Sequence, residues 1–134
     1  MDADIKAILT KYKNIAVVGL SPDPAKPSHG VAAYLKRAGY RIFPVNPACD
    51  REILGEPCYA SLEQIPEPVE IVDVFRRSEF VPEVVEQAIA KGAKVVWMQE
   101  GVEHEGAATR AVQAGLDVVM DRCILKEHSR LLGR

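Results

Sequence analysis

The stretch Ile15-Ala16-Val17-Val18-Gly19-Leu20-Ser21-Pro22 passes from a continuous apolar run into a glycine and a polar loop, and a helical pattern opens around Ser28-His29-Gly30. A glycine lets the backbone turn tightly at the end of a first parallel strand. The helix that follows directs its free N–H groups, and the positive end of its dipole, toward that turn. The junction therefore predicts a site for an anionic, nucleotide-like ligand.

Further apolar runs of strand length follow along the chain, and helical patterns separate them. The predicted strands are residues 14–19, 41–45, 70–75, 93–98 and 116–121. Most of these runs consist almost entirely of Val, Ile or Ala, which is typical of parallel strands covered on both faces. The predicted helices are residues 4–12, 30–38, 81–90, 104–114 and roughly 125–132.

The alternation of strands and helices predicts one fold for the whole chain. It indicates a Rossmann-like, doubly wound α/β fold, with a mainly parallel five-stranded sheet, helices on both faces and right-handed crossovers. A length of 134 residues suits a single domain, residues 1–134. Residues 46–68 are richer in Pro, Gly and charge, and we expect a short extra strand at Pro57-Cys58-Tyr59 and one helical turn at 61–64.

The composition argues against some classes of binding partner. A net charge of −2 lacks the basic surplus of general nucleic-acid binders, so no nucleic-acid partner is predicted. No apolar run approaches the ~20 residues that cross a bilayer, and Met1-Asp2-Ala3-Asp4 does not resemble a secretory signal.

The three cysteines, Cys49, Cys58 and Cys123, are widely spaced and form no C-x-x-C pair. This spacing indicates neither a disulfide framework nor a zinc site, and favours a reducing, cytoplasmic location.

The carboxyl ends of the predicted strands are the expected ligand-binding edge, because open α/β sheets bind ligands there, where the strand order reverses. Each of the first four strands ends in glycine or polar residues that could meet a ligand. These ends are Gly19-Leu20-Ser21, Asn46-Pro47, Phe75-Arg76-Arg77 and Met98-Gln99-Glu100.

The loop after the first strand lacks the G-x-G-x-x-G fingerprint, and its prolines remove backbone donors. We expect phosphates to be held by its remaining amides, by the hydroxyls of Ser21 and Ser28 and by the Lys26 ammonium. Gly30, in the first helical turn, would let a pyrophosphate approach the backbone closely. The alternative is a stiff surface loop in which Ser28 is an ordinary helix N-cap.

The ends of the second and third strands bear on which nucleotide would bind. No carboxylate follows the second strand at Asn46-Pro47, so the ribose contact of NAD-binding domains is missing and NAD is disfavoured. Arg76-Arg77 could pair with phosphate groups, or could be solvated charges ahead of the next helix.

The sequence contains no residue pattern that is typical of a catalytic site. Cys123 and His128 share no known nucleophile–base signature. The acidic residues between 100 and 105 resemble metal ligands only by residue type, and a helix N-terminus explains them without a metal. No catalytic residue and no metal site are predicted.

A set of motifs, in order along the chain from about Tyr12 to Leu132, carries a family resemblance. The motifs are Val18-Gly19-Leu20-Ser21-Pro22, Lys26-Pro27-Ser28, Pro44-Val45-Asn46-Pro47, Val72-Asp73-Val74-Phe75-Arg76-Arg77, Val96-Trp97-Met98-Gln99 and Met120-Asp121-Arg122-Cys123. Together they resemble the small stand-alone CoA-binding proteins, which are similar in fold to the CoA-binding first domain of the succinyl-CoA synthetase α subunit.

The resemblance implies that coenzyme A lies across the strand ends. The phosphates would meet the Gly19–Ser21 loop and the helix start near Ser28, and the nucleotide portion would lie against Asn46-Pro47 and Phe75-Arg76. Met98-Gln99-Glu100 would match the Ile-Thr-Glu segment of the synthetase.

The chain departs from the family pattern at two positions. Relatives often have a basic residue where this chain has Ala48, and leucine where it has Glu100. The phosphorylated histidine of the synthetase lies in a later domain that this chain lacks, so the resemblance does not imply ligase activity.

Three functions remain open on the sequence. The first is a module that binds CoA or an acyl-CoA without catalysis, with an unknown protein partner. The second is an enzyme, either a small NAD(P)-binding oxidoreductase or an acyl-CoA-processing protein, which would depend on Glu100, His104 or Cys123. The third is a regulatory protein whose nucleotide site has decayed, an interpretation favoured by Ala48 and the proline-rich first loop.

Overall fold

A five-stranded sheet forms the centre of the protein in a computed structural model that describes residues 2–133. The strand order is β2-β1-β3-β4-β5, and every neighbouring pair is parallel. The strands are β1 (Asn14–Val18), β2 (Arg41–Val45), β3 (Ile71–Val74), β4 (Val95–Met98) and β5 (Asp117–Val119). The helices are α1 (Asp2–Lys11), α2 (Pro27–Arg37), α3 (Val81–Lys91), α4 (Glu105–Gln113) and α5 (Ile124–Leu131). The predicted Rossmann-like α/β fold is confirmed.

Each face of the sheet packs against its own helices, because successive strand residues point to opposite sides. Ala16 and Val18 of β1 join a core cluster with α3 and α4, whereas Ile15 and Val17 join a second cluster with α1, α2 and α5. Helices on both faces explain why the strands are nearly continuous apolar runs.

The observed elements differ from the predicted bounds mainly at their ends. The strands other than β2 are shorter than predicted, because turn residues such as Gly19, with a φ of 91°, leave the extended conformation. Helix α2 begins at Pro27 rather than at residue 30, since proline suits the first helical position. Its N-cap residue is Lys26, so the alternative of Ser28 as an ordinary N-cap is wrong.

The irregular segment after β2 is held by isolated bridges. The extra strand predicted at 57–59 reduces to one parallel bridge between Val45 and Tyr59. The predicted single helical turn is present as a 3₁₀ turn at Leu62–Gln64.

The expectation that no cysteines pair is wrong for Cys49 and Cys58, which form a disulfide. The chain between them turns back through an antiparallel bridge of Ile53 with Glu56, and this reversal, which the spacing did not reveal, brings the two cysteines together. Cys123 is free and buried. Within residues 2–133, none of the helices combines the length and apolar character of a membrane span.

Candidate functional site

The strand order reverses between β1 and β3, since β1 pairs with β2 on one side and with β3 on the other. Helix α2 follows β1 onto one face of the sheet, and α3 follows β3 onto the opposite face. The connections therefore diverge and leave a crevice at the carboxyl edge, which is where doubly wound sheets bind their ligands. A cleft of about 380 Å³ opens there. Its lining residues are Gly19, Asn46, Pro47, Ala48, Phe75 and Arg76.

The sequence predicts all of these lining residues except Ala48, which departs from the family pattern. The ends of β1, β2 and β3 thus converge as predicted. Clefts also lie elsewhere within residues 2–133, among them one between residues 61–63 and α3 and one between α1 and β5. Neither is at the carboxyl edge, and neither contains a residue predicted for the site.

Gly19 forms the floor of the cleft by joining three strand ends. Its N–H donates to the Val45 carbonyl at 2.8 Å, and the Phe75 N–H donates to the Val18 carbonyl at 2.9 Å. A Cβ built on Gly19 would overlap the Phe75 carbonyl oxygen and lie 3.1 Å from its carbonyl carbon. Together with a φ of +91°, this approach explains why only glycine fits here.

Asn46 fastens the second wall of the cleft to the first loop. Its Nδ2 donates to the Leu20 carbonyl at 3.0 Å, and its Oδ1 accepts from the Ala48 N–H at 2.9 Å. Ligand contact by Asn46 stays a prediction, and these hydrogen bonds show that Asn46 also positions the loops after β1 and β2.

In the loop after β1, side-chain oxygens accept hydrogen bonds from several of the loop's own backbone N–H groups. Ser28 Oγ accepts from the Ser21 N–H at 3.0 Å, and Ser21 Oγ accepts from the Asp23 N–H at 3.0 Å. Asp23 Oδ1 in turn accepts from the Ala25 N–H at 2.9 Å. These amides therefore already have acceptors, unlike the open phosphate cradle expected from the sequence. Ser28 is itself buried, so the groups left to meet an anion are the half-buried Ser21, the exposed Lys26 and the start of α2.

Gly30 lies in the first turns of α2 and is exposed, with no heavy atom within 4 Å of a Cβ built on it. Lys26 is also exposed, at the N-cap of the same helix. The open surface at Gly30 is compatible with the predicted close approach of a phosphate to the helix backbone.

Of the two arginines after β3, only Arg76 lines the cleft. Its guanidinium carbon lies 4.5 Å from the centre of the Phe80 ring, a cation–π contact that helps to hold the side chain in place. Arg77 is exposed and not among the lining residues, and its carbonyl accepts from the Phe80 N–H at 2.9 Å. Phe80, in the turn before α3, was not selected from the sequence.

The residues predicted at the end of β4 do not line the cleft. Met98 is fully buried in a core cluster. Gln99 Oε1 accepts from the Ile124 N–H at 3.1 Å, so this side chain caps α5. Glu100 is exposed and pairs with Lys126 at 3.0 Å. Leu20 is likewise fully buried, and its carbonyl accepts from Asn46.

Asp73, inside β3, is fully buried with no hydrogen-bond partner for either carboxyl oxygen. In the sheet it lies between Val17 of β1 and Trp97 of β4, two residues before Phe75 on the same face of β3. Desolvation raises the pKa of Asp73 well above its usual value. Asp73 is therefore a buried carboxyl group with a raised pKa, two residues along the chain from the cleft-lining Phe75.

The side chains weighed for catalysis are engaged in structural contacts. His104 Nδ1 accepts from the Ala107 N–H at 3.0 Å and caps α4, and of the acids between 100 and 105 only Glu105 lies in the first turn of that helix. His128 Nδ1 lies 2.7 Å from the Tyr34 hydroxyl, and burial followed by the Lys13 charge lowers the pKa of His128. Among residues 2–133, no group of three or more His, Cys, Asp and Glu side chains could hold a metal ion.

The all-parallel sheet, with a cleft at the point where the strand order reverses, defines a Rossmann-like α/β domain. Comparison with known proteins gives a narrower assignment. A family model described as a CoA binding domain matches residues 13–129. The chain belongs to this CoA-binding domain family.

The relatives are of two kinds, a protein of about the same length as this chain and ligases that are several times longer. The chain is 46% identical over 127 residues to the uncharacterized protein YneT of Bacillus subtilis, covering 95% of this chain and 93% of YneT. It is 36% identical over 97 residues to the ADP-forming acetate–CoA ligase II of Archaeoglobus fulgidus, covering 70% of this chain but only 14% of the ligase.

A solved structure matches the entire fold. A hypothetical protein from Pyrococcus horikoshii superposes with a TM-score of 0.96 at 48% sequence identity, covering 99% of this chain and 93% of that one. The arrangement of strands and helices is therefore shared with a known structure over essentially its whole length.

Proposed function

We propose that the protein binds coenzyme A, free or acylated, in the cleft at the carboxyl ends of β1, β2 and β3. The observation that carries this proposal is the convergence of Gly19, Asn46-Pro47 and Phe75-Arg76 at the point of strand-order reversal. Membership of the CoA-binding domain family supports the choice of ligand. A relative named as an acetate–CoA ligase has a region similar to this chain, which adds to that support.

The charges around the cleft suit a phosphate-rich ligand. Arg76 offers a planar guanidinium, already oriented by Phe80, that can form paired hydrogen bonds with a phosphate group. The diphosphate would lie near the start of α2, close to Ser21, Lys26, Ser28 and Gly30. Helix α2 adds the positive end of its dipole there.

The nucleotide portion would lie against Asn46-Pro47 and Phe75. The pantetheine arm would then run over the end of β4, where Glu100 is the exposed residue of the predicted Met98-Gln99-Glu100 segment. In this assignment Met98 and Gln99 support the surface from below, and Leu20 and Asn46 position the loops.

A binding module without its own catalysis fits these side chains better than an enzyme. Glu100 is paired with Lys126, Cys123 is buried, and His104 caps a helix. Assays for thioester hydrolysis and for hydride transfer test the enzymatic alternatives directly. The cytoplasmic location and the absence of a nucleic-acid partner remain predictions from the sequence.

Isothermal titration with CoA, with NAD as the competing ligand, tests the proposed function. We expect binding of CoA and a much weaker response to NAD. Replacing Arg76 with methionine removes the charge in the cleft and should weaken CoA binding about 10-fold to 100-fold, the usual effect of losing a hydrogen bond to a charged group.

Arg77→Met is the matched control, because Arg77 adjoins Arg76 in sequence but does not line the cleft. This exposed charge should change the affinity for CoA by less than about threefold. Absence of any heat with CoA, or equal losses in the two variants, would contradict the proposed location of the ligand.

Gly30→Ala is expected to have opposite effects on stability and on CoA binding. Nothing in the protein obstructs a Cβ at Gly30, and alanine favours a helix over glycine by about 1 kcal/mol, so the free energy of unfolding should rise. The same methyl group would occupy the space of an approaching phosphate, and CoA binding should weaken about tenfold or more. Urea unfolding and calorimetry measure the two effects. A variant that is more stable yet binds CoA normally would place the diphosphate elsewhere.

A further inference from the structure

The Cys49–Cys58 disulfide lies at the edge of the cleft. Ala48 lines the cleft, and Cys49 is the next residue along the chain. Both cysteine residues are half-buried, whereas Cys123 is buried. The proposed CoA site does not use this bond.

The disulfide joins the segment directly after the cleft-lining residues 46–48 to the segment that returns at Cys58. The Cys49 N–H donates to the Asn46 carbonyl at 3.0 Å, and the Asn46 N–H donates to the Tyr59 carbonyl at 2.9 Å. Tyr59 follows Cys58 and donates its own N–H to the Pro44 carbonyl at 3.0 Å. The disulfide thus joins the two chain segments whose hydrogen bonds align Asn46 with the sheet.

Asn46 also connects this side of the cleft to the loop after β1, which lies on the opposite side. Its side chain donates to the Leu20 carbonyl in the loop after β1, as described above. A change in the position of Asn46 would therefore disturb the loops on both sides of the cleft. The tip of the disulfide loop is held separately, by buried Ile53 and by Lys36, whose Nζ contacts the Leu54 carbonyl at 2.5 Å and Glu56 at 3.1 Å.

We propose that Cys49–Cys58 is a thiol-exchange site that controls the cleft, with the oxidised protein binding its ligand more tightly than the reduced protein. The reactant class is a low-molecular-weight thiol. This inference rests on the proposed function, because the controlled property is the affinity of the cleft for the CoA nucleotide.

The exchange is a balanced two-electron reaction. The thiolate of a small thiol attacks one sulfur of the disulfide, forms a mixed disulfide with that cysteine and releases the other cysteine as a thiolate. A second small thiolate attacks the mixed disulfide and leaves as the small-molecule disulfide. Both cysteines then take up protons from solvent, so the protein disulfide is reduced and two small thiols are oxidised.

The test compares the affinity for acetyl-CoA in both redox states. Acetyl-CoA has no free thiol, so the probe does not itself reduce the protein. If the reduced wall occupies the binding arrangement about one-tenth of the time, the apparent Kd rises about tenfold. Wild-type protein reduced with a phosphine and the Cys49→Ser/Cys58→Ser variant should show the same weakening. Cys123→Ser, which keeps the disulfide, should behave as wild type in both states.

Hydrogen exchange gives a readout that needs no ligand. Reduction should accelerate exchange of the Asn46, Cys49 and Tyr59 amides, while the Ile53 and Glu56 amides at the loop tip serve as unchanged internal references. Equal acetyl-CoA affinity in both states overturns the inference and leaves the proposed function intact. Unchanged exchange at Asn46 and Tyr59 overturns it as well. Absence of acetyl-CoA binding in both states overturns the proposed function and this inference together.

Discussion

Replacing Gly19 with alanine is expected to lower the free energy of unfolding by roughly 2–6 kcal/mol, the sum of a strained backbone conformation and a steric overlap. The φ of +91° is unfavourable for any residue with a Cβ, and the new methyl group would overlap the Phe75 carbonyl oxygen. The ends of β1 and β3 would have to separate at the floor of the cleft. Urea-induced unfolding of the variant measures the loss.

Gly39→Ala is the matched control for the backbone contribution. Gly39 has a similar φ of +103°, but no heavy atom lies within 4 Å of a Cβ built on it. This variant should therefore lose only about 1–3 kcal/mol, from backbone strain alone. If the two variants are destabilised equally, the close approach of the β1 and β3 ends is not present in solution. Because Gly19→Ala deforms the cleft itself, a loss of CoA binding by it reports on folding rather than on ligand contact.

Replacing Asp73 with asparagine is expected to stabilise the protein at neutral pH. Burial keeps the Asp73 carboxyl protonated in the folded state, because its pKa there is raised well above the usual 3.8. As the pH rises above 3.8, the unfolded chain loses this proton while the folded protein retains it. The unfolded state is thereby favoured by up to about 1.4 kcal/mol per pH unit, until the pH reaches the folded-state pKa. Asparagine does not titrate and removes this penalty.

The measurement is the difference in unfolding free energy between variant and wild type across a pH series. The difference should be small at acidic pH, where Asp73 is protonated in both states, and should grow as the pH rises. Asp73→Val provides a second variant with the same pH dependence and a larger constant gain, since a buried polar group without a partner costs about 1–3 kcal/mol. A variant that follows the wild-type profile at every pH would show that Asp73 ionises equally in both states.

The buried Asp73 carboxyl, which destabilises the folded state, lies close in sequence to the proposed CoA-binding cleft. It belongs to β3 (Ile71–Val74) and lies two residues before Phe75, which lines the cleft. The apolar neighbours Val17 and Trp97 offer it no hydrogen bond. Strongly perturbed carboxyl groups concentrate at functional sites, so the pH profile of CoA affinity is a natural companion measurement for the same two variants.

Several features were determined by the sequence alone. The continuous Val, Ile and Ala runs fixed the class of the sheet, because strands covered on both faces admit little else. Gly19, Asn46-Pro47 and Phe75-Arg76 could be assigned to one edge, since parallel strands all end on the same side of a sheet. Local chemistry sufficed for these conclusions.

Only the tertiary structure decided which of those strand ends form the cleft. The order β2-β1-β3-β4-β5 brings the first three ends together, while the end of β4 packs beneath α5, so Gln99 caps a helix instead of lining the cleft. The Cys49–Cys58 bond, the Asn46 contact with Leu20 and the unpartnered Asp73 likewise became apparent only in the fold. Each depends on which distant residue becomes a neighbour, and strand pairing and loop closure determine that, whereas local sequence pattern does not.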